Sequence, residues 1–192
     1  MSRIGNLPIT IPSEVTATLN GYTLVINGPK GSLDLTFAPE VKVEVLESSI
    51  IVKRKNDLKK SKALHGLTRS LIANMVLGVT EGWTKFLELV GVGFRAQIAG
   101  SALNKLVLNI GFSHPVEVQA PNGITFEVLD NTKIKISGID KQLVGAIAAD
   151  IKKIRPPDVY KGKGIRFEGE YIRKKVGKSA KVGVGTTAGG KV

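Results

Sequence analysis

The sequence predicts an α+β protein of two similar tandem domains, each a mainly antiparallel sheet packed against one long helix, with a basic C-terminal extension. Three observations predict this fold class. The chain has 192 residues, of which 42% are hydrophobic, which suits one large domain or two small ones. The two halves repeat each other, and each half changes from strand periodicity to helix periodicity along its length. The absence of cysteine excludes a disulfide scaffold, a thiolate metal site and a thiol nucleophile.

An internal repeat relates the two halves of the chain. Three short segments recur in the same order, after 82, 83 and 79 residues. The paired segments are 24–27 with 106–109, 43–47 with 126–130, and 64–66 with 143–145. This agreement predicts two copies of one unit, residues 1–82 and residues 83–177, followed by a basic Gly-rich tail over 178–192.

The first copy reads as strands followed by a helix. Apolar and polar residues alternate as in half-buried strands, and the predicted strands cover 33–37, 41–45 and 50–52. The Asn-Gly pair at 27–28 predicts the turn before them. The helical period that follows predicts one apolar face made of Leu64, Leu67, Leu71, Met75 and Val79. Gly78 and Gly82 stand where this helix is expected to stop.

The second copy follows the same plan. Its predicted strands cover 86–90, 94–99, 105–110, 116–119, 125–129 and 133–137. Asp140 is the expected N-cap of a helix, whose apolar face is marked by Leu143, Ile147 and Ile151. The helix is expected to end at Pro156-Pro157, because proline donates no backbone hydrogen bond. A last strand over 165–171 is expected to return to the sheet.

The positive charge is concentrated at one end of the chain. The whole sequence has 28 Lys and Arg against 16 Asp and Glu, a net charge of +12. Residues 1–150 carry 16 basic and 13 acidic side chains, whereas residues 151–192 carry 12 basic and 3 acidic ones. This distribution predicts a polyanionic partner, nucleic acid first and an anionic membrane surface second. The sequence contains no run of about 18 apolar residues, so no membrane-spanning helix is predicted.

The segment 155–178 has the chemistry of a phosphate-binding surface. Residues 161–164 read KGKG, so that two cations alternate with two glycines. Glycine lets a backbone approach phosphate oxygen, and the lysines neutralise its charge. Residues 173–175, with Lys178, form a second cationic cluster. The alternative is a glycine turn with a solvated charge run. Because only 5% of the residues are aromatic, phosphate and shape contacts are expected rather than base stacking.

The sequence offers little for catalysis. The two histidines, His65 and His114, lie in different predicted elements without a further ligand at metal-site spacing. They are expected on a helix surface and in a turn, respectively. Residues 91–96 read GVGFRA, which matches the G-x-G-x-x-A variant of a dinucleotide fingerprint, but no helix is predicted after it. No catalytic residue and no metal ligand are therefore assigned.

Several motifs resemble one known family. Residues 155–178 resemble the C-terminal signature of the bacterial-type large-subunit ribosomal protein six family, and residues 2–9, 91–96 and 111–116 are similar to its other motifs in the same order. The resemblance implies two similar α/β domains that bind large-subunit (23S-class) ribosomal RNA near the sarcin–ricin loop and the stalk base, without catalytic activity or cofactor. It implies as further partners the neighbouring large-subunit proteins and, by proximity, translation factors, and a cytoplasmic or plastid ribosome as the location.

The rRNA-binding residues predicted in this way lie at the C-terminal end. They are Arg155, Tyr160, Lys161, Gly162, Lys163, Gly164, Arg166, Arg173, Lys174, Lys175, Lys178 and Lys181. Two other classes of function stay open at the level of the sequence. One is a free nucleic-acid-binding or regulatory protein that never enters a particle. The other is a nucleotide-dependent enzyme built on residues 91–96.

Overall fold

The structure is a computed structural model that describes residues 4–99 and 105–177. It contains thirteen strands and two helices within these residues. The strands are β1 Ile9–Thr10, β2 Thr16–Asn20, β3 Thr23–Gly28, β4 Gly31–Thr36, β5 Val41–Val45, β6 Ser49–Arg54, β7 Trp83–Val90, β8 Arg95–Ala99, β9 Lys105–Asn109, β10 Val116–Gln119, β11 Ile124–Val128, β12 Lys133–Gly138 and β13 Gly164–Phe167. The helices are α1 Lys59–Thr80 and α2 Lys141–Ile154.

Each half of the described chain has two antiparallel sheets and one helix. The first half has the strand orders β2-β3-β4 and β1-β6-β5, and the second has β10-β9-β8 and β11-β12-β7-β13. The two arrangements correspond strand by strand, except that β13 is added beside β7 in the second half. Helix α1 packs on β3 and β6, and α2 packs on β7, β12 and β13. The predicted fold class is confirmed.

Each half also has its own hydrophobic core. The repeat places corresponding side chains in corresponding positions, since Leu24 and Ile26 of β3 and Leu106 and Leu108 of β9 are all fully buried. They point to the same side of their strands because residues two apart share a face. The alternation seen in the sequence therefore does face a core in both copies.

The buried face of α1 differs from the predicted one. Leu67 is 53% exposed and Leu71 is only half-buried, so the prediction that these two belong to the core face was wrong. Leu64 is half-buried but does pack against the core. The buried residues of this helix are Ser61, His65, Thr68, Ile72, Met75, Val76, Gly78 and Val79. Polar side chains can occupy such a face where they find hydrogen-bond partners at short range.

His65 is the clearest example of a polar residue on the buried face of α1. It was expected on the helix surface, and this was wrong, because it is only 2% exposed. Its Nε2 lies 2.8 Å from the carbonyl oxygen of Val52 on β6. A carbonyl only accepts, so Nε2 is the donor. Gly5 packs on the ring so closely that a Cβ there would lie 2.5 Å from Nδ1. His65 thus joins the N-terminal segment, the helix and the sheet.

One prediction about a glycine and one about a turn in the first half were wrong. Gly78 does not end α1 but lies within its last turn, and the helix is closed instead by Gly82, which has a φ of +79° and donates its N–H to the carbonyl of Leu77. The β3–β4 turn is not at 27–28, because Asn27 pairs with Ser32 inside the ladder.

The second half follows its predicted elements more closely. Asp140 is the N-cap of α2, and its Oδ1 accepts a hydrogen bond from the backbone N–H of Gln142 at 2.8 Å. The helix ends before Pro156, as predicted. The last strand is shorter than predicted, however. It stops at Phe167 because Gly169, with a φ of +74°, turns the chain away from the sheet.

The two halves are joined by close packing as well as by the chain. Ile139 of the second half packs against the core of the first. The backbone of Ile139 passes directly over Gly78 of α1, because a Cβ on Gly78 would clash with the carbonyl oxygen of Ile139. Trp83 donates its indole N–H to the carbonyl of Asn74 at 3.0 Å, and the Lys141 ammonium lies 4.2 Å from the centroid of the Trp83 ring. These contacts fix the two halves against each other.

Candidate RNA-binding surface

Three connections meet at one end of the second half. They are the β7–β8 turn (residues 91–94), the β9–β10 connection (residues 110–115) and the α2–β13 connection (residues 155–163). The ladder brings them together, since Val90 pairs with Gly164 and Arg95 pairs with Asn109. We call these three segments the loop end. Most of the predicted RNA-binding residues lie in it or directly after it.

The α2–β13 connection is held by its own hydrogen bonds. Asp158 donates its N–H to the carbonyl of Lys163 at 2.8 Å and accepts at its own carbonyl from Gly162 at 2.9 Å. Its carboxylate accepts from the N–H groups of Lys161 at 3.1 Å and Tyr160 at 3.3 Å. These backbone donors, Lys161 first, hold the pKa of Asp158 below its ordinary value. The one acidic group of this loop therefore serves the loop itself.

The two glycines of the KGKG motif are buried and build this loop. Gly162 has a φ of +73° and Gly164 a φ of +145°, conformations that side chains rarely adopt. A Cβ on Gly164 would also lie 2.6 Å from the carbonyl oxygen of Pro156 and from the Cα of Pro157. The close approach that requires glycine is thus an approach to the protein's own backbone. Contact of Gly162 and Gly164 with RNA stays a prediction.

The lysines of the same motif point outwards. Lys161 and Lys163 are exposed, and their ammonium groups form no ion pair with any residue in the described part of the chain. Tyr160 beside them is 56% exposed. The loop therefore presents two exposed cations without a direct ion pair, on a backbone held by its own hydrogen bonds.

The second cationic cluster, residues 173–175, lies against this loop. The N–H of Lys175 donates to the carbonyl of Val159 at 2.9 Å, and a Cβ on Gly162 would lie 3.5 Å from Cε of Lys174. A cleft of about 200 Å³ lies between them, lined among others by Lys161, Arg166 and Lys174. Arg173, Lys174 and Lys175 are all exposed. The two cationic clusters thus form one continuous surface.

Two basic residues of the region are instead neutralised by neighbours. Arg166 lies opposite Glu88 in the β13–β7 ladder and donates from Nε and Nη2 to one carboxylate oxygen at 3.0 and 2.8 Å. Lys152 donates to both carboxylate oxygens of Glu170 at 2.6 and 2.8 Å. The Lys152 ammonium, followed by the N–H of Phe167, lowers the pKa of Glu170. RNA binding by Arg166 stays a prediction, and it would compete with an existing ion pair.

Arg155 has a role that the sequence did not reveal. Its guanidinium lies over the rings of Phe94 and Phe112, at 5.3 and 5.2 Å from their centroids. The ring of Phe112 in turn stacks on His114, with centroids 6.2 Å apart and planes inclined by 16°. These residues come from all three segments of the loop end and have no shared local pattern. His114 itself lies in an exposed bend, as predicted.

Other predictions have different outcomes. Residues 91–96 form the turn between β7 and β8 and the first two residues of β8, so no helix follows whose N-terminus could bind a pyrophosphate. Within the described residues no cluster of three or more His, Asp or Glu side chains is placed to hold a metal ion. Over the same residues no helix is long and apolar enough to cross a membrane. Lys178, Lys181 and the remainder of the predicted tail lie outside the described residues.

Comparison with known proteins identifies the family. The sequence profile of ribosomal protein L6 matches residues 11–82 and 90–168. The chain belongs to the ribosomal protein L6 family. It is 56% identical over 181 residues to the large ribosomal subunit protein uL6 of Halalkalibacterium halodurans, covering 94% of this chain and 100% of that protein. The corresponding proteins of Clostridium botulinum and Dictyoglomus thermophilum are 55% and 53% identical over 182 residues, covering 94% of this chain and 99% of each relative.

Membership of this family decides between the classes of function that the sequence left open. A ribosomal protein L6 is a structural component of the large ribosomal subunit and not an enzyme, so the nucleotide-dependent enzyme is excluded. The chain is a ribosome-bound cytoplasmic protein of the bacterial type. The two matched segments also agree with the repeat, since each contains one helix and the strands of one half apart from the first, which is β1 in one half and nearly all of β7 in the other.

Proposed function

We propose that the chain binds large-subunit ribosomal RNA at the loop end of its second half, chiefly through phosphate groups. The observation that carries the proposal is the presentation of Lys161 and Lys163. Both ammonium groups are exposed and unpaired, on a loop whose backbone is already fixed by Asp158, Gly162 and Gly164. A fixed loop loses little conformational entropy on binding, and phosphate contacts release counterions from the RNA.

The remaining predicted contacts extend this surface. Tyr160 and residues 173–175 adjoin the two lysines, and Lys178 and Lys181 follow directly along the chain. We propose the division of the chain predicted above, into residues 1–82, 83–177 and a basic tail 178–192. The first domain is close to electrical neutrality and faces neighbouring proteins or the factor-binding region. The RNA site lies near the sarcin–ricin loop and the stalk base, where it supports factor binding and subunit assembly.

The proposal is tested by the salt dependence of binding. The full chain is titrated with deproteinised large-subunit rRNA at several salt concentrations, for the wild type and for Lys161→Ala and Lys163→Ala. Each variant is expected to bind more weakly and to lower the slope of log K against log salt by about 0.7–0.9 for each phosphate group that it no longer neutralises. Lys59→Ala, an exposed lysine at the start of α1, is the matched control and is expected to leave the slope unchanged. Equal slopes for all four proteins would contradict the proposal.

A further inference from the structure

We infer that the loop end holds one unpaired RNA base, stacked on the exposed ring of His114. This inference rests on the proposed function and specifies part of the same surface. Its basis is the series of contacts that runs from Phe94 through Arg155 and Phe112 to His114. Phosphate contacts by the lysines position a nucleic acid but read none of its bases. The series of stacked groups provides a surface on which a base can stack.

The series leads from the protein interior to its surface. Phe94 is only 8% exposed and belongs to the hydrophobic core of the second half. The guanidinium of Arg155 lies over this ring and over that of Phe112, which is 45% exposed. His114 follows at 6.2 Å, nearly parallel to Phe112, and is exposed. The outermost ring is therefore held at a fixed inclination by packing that begins in the core, which is the preorganisation that a stacking surface needs.

The surroundings of His114 favour a nucleic-acid base as the occupant. Residues 91–96 and 110–116 contain Arg95 and no acidic side chain. The carboxylate of Asp158, in the third segment of the loop end, accepts hydrogen bonds from its own loop. An RNA bound to Lys161 and Lys163 thus meets one acidic group in the three segments of the loop end, the Asp158 carboxylate, and this group is outnumbered there by the two exposed lysines and Arg155. Planar π systems bind the faces of bases without regard to their sequence, and RNA loops and bulges supply bases that are free to stack.

The low content of aromatic residues had predicted the opposite. Base stacking was not expected as the main contribution, because aromatic residues make up only 5% of the chain and because Lys163 and Ile165 stand where an RNA-stacking strand has aromatic residues. Three of them, Phe94, Phe112 and Tyr160, nevertheless lie in the loop end. Whether these rings can stack on a base depends on how they are arranged with Arg155 and His114, and this arrangement is visible only in the folded structure. The inference therefore adds a stacking contact to the phosphate contacts proposed above.

The first experiment separates stacking from charge. The full chain and its variants His114→Ala and His114→Phe are titrated with deproteinised large-subunit rRNA across a range of salt concentrations. His114→Ala is expected to weaken binding about 10-fold with an unchanged salt slope, because the protein still neutralises the same phosphates. His114→Phe is expected to bind as the wild type does, since it keeps the ring and removes the ring nitrogens. The side chain is exposed, so all three proteins are expected to unfold at the same temperature.

A second readout reports on the ring directly. The wild type has a single tryptophan, Trp83, which lies at the junction between the two halves. In His114→Trp a second indole replaces the outer ring. Addition of the rRNA is expected to quench the emission of this variant more strongly than that of the wild type, because the new indole stacks on a base. Lys163→Ala combined with His114→Trp is expected to show the same quenching at saturating RNA.

The outcomes distinguish this inference from the proposed function. If His114→Ala binds as tightly as the wild type, or if His114→Phe is as weak as His114→Ala, the stacking inference is wrong. If the weaker binding of His114→Ala is accompanied by a lower salt slope, His114 acts as a cation on phosphate and the inference is also wrong. In each case a lowered slope for Lys161→Ala and Lys163→Ala would leave the phosphate proposal standing. If RNA binding is unchanged and only assembly into particles suffers, the occupant is a neighbouring protein and the inference is wrong.

Discussion

The two halves of the molecule share a fold but differ at the ends of their helices. Helix α1 ends at Thr80, and the chain enters β7 at Trp83. Helix α2 ends at Ile154, and nine residues of loop then precede β13, which has no counterpart in the first half. The cores and ladders of the two halves correspond, so the added loop and strand distinguish the second half. Lys161 and Lys163, which we propose to bind RNA, thus lie on a connection that the second half adds to the repeated scaffold.

The lysines of the loop end also differ from several lysines of the first half in their ion pairs. In the first half, Lys42 and Lys53 both pair with Glu44, and Lys60 pairs with Glu40. At the loop end of the second half, Lys161 and Lys163 have no such partners among the described residues. Cations that are already paired have less to gain from a phosphate than cations that are solvated and free. Lys59 of the first half is exposed and likewise has no ion pair among the described residues, so what distinguishes the proposed binding surface is that two such cations share one hydrogen-bonded loop.

The largest effect is expected from exchanging corresponding core residues of the two halves. In the repeat, His65 of α1 corresponds to Val144 of α2, and both side chains are buried. Val144→His would put an imidazole into a tightly packed apolar core, where a Cβ on Gly138 would already lie 2.9 Å from Val144. Overpacking and an unpaired polar group together should lower the free energy of unfolding by about 4 kcal/mol.

The reverse exchange serves as the control. His65→Val removes the hydrogen bond to the carbonyl of Val52 but keeps the site apolar, so a loss of about 1–2 kcal/mol is expected. Both variants are measured by denaturant unfolding of the full chain. Equal losses would show that the two cores tolerate the same residues, and the comparison between them would fail at this position.

The next effect concerns the loop that only the second half has. Gly164→Val combines an unfavourable φ with a clash against the backbone of Pro156 and Pro157, so the unfolding free energy should fall by about 3 kcal/mol. Gly145→Ala is the control, because a Cβ there, in α2, meets nothing within 4 Å, and it should raise stability by up to about 1 kcal/mol. Thermal unfolding of both variants checks this. A Gly164→Val protein as stable as the wild type would show that the loop backbone is not fixed.

The smallest expected effect is a pH-dependent change in the free energy of unfolding. The folded-state pKa of Glu170 is lowered by Lys152 and by the N–H of Phe167, so its ionised form stabilises the fold above the ordinary pKa of 4.5. Glu170→Gln should cost about 1 kcal/mol at neutral pH. The difference from the wild type should vanish as the pH falls through the lowered pKa. Glu40→Gln in the first half, whose partner Lys60 is far more exposed, should show a smaller difference. Unfolding curves between neutral and acidic pH check this, and a difference that grows on acidification would contradict it.

Much of the fold was predictable because it depends on short-range patterns. The alternating strands around Val43 and Leu106, the N-cap at Asp140 and the stop at Pro156 all follow from residues within a few positions of one another. The cationic loop was predictable for the same reason, since Lys161 and Lys163 are adjacent to the glycines that shape it. Charge and turn chemistry are local properties, and a single sequence displays them.

The failures share a different cause. His65 is buried because Val52, thirteen residues away in the chain, accepts its hydrogen bond, and Gly78 is a glycine because Ile139 crosses there. The contact of Arg155 with Phe94 likewise spans 61 residues. One signal for His65 was present, however. The repeat aligns it with Val144, a predicted helix position between Leu143 and Ile147, and this alignment indicates a buried site.

The contact between Gly78 and Ile139 has a consequence for genetics. A side chain at position 78 would meet a backbone oxygen, which no substitution at position 139 can remove. Suppressors of a Gly78 variant should therefore not arise as a compensating change in its contact partner. They should arise instead as general stabilising substitutions elsewhere in either half, such as Gly145→Ala. A selection for revertants would thus recover many scattered positions and few neighbours, which is the pattern left by a backbone contact rather than by a side-chain pair.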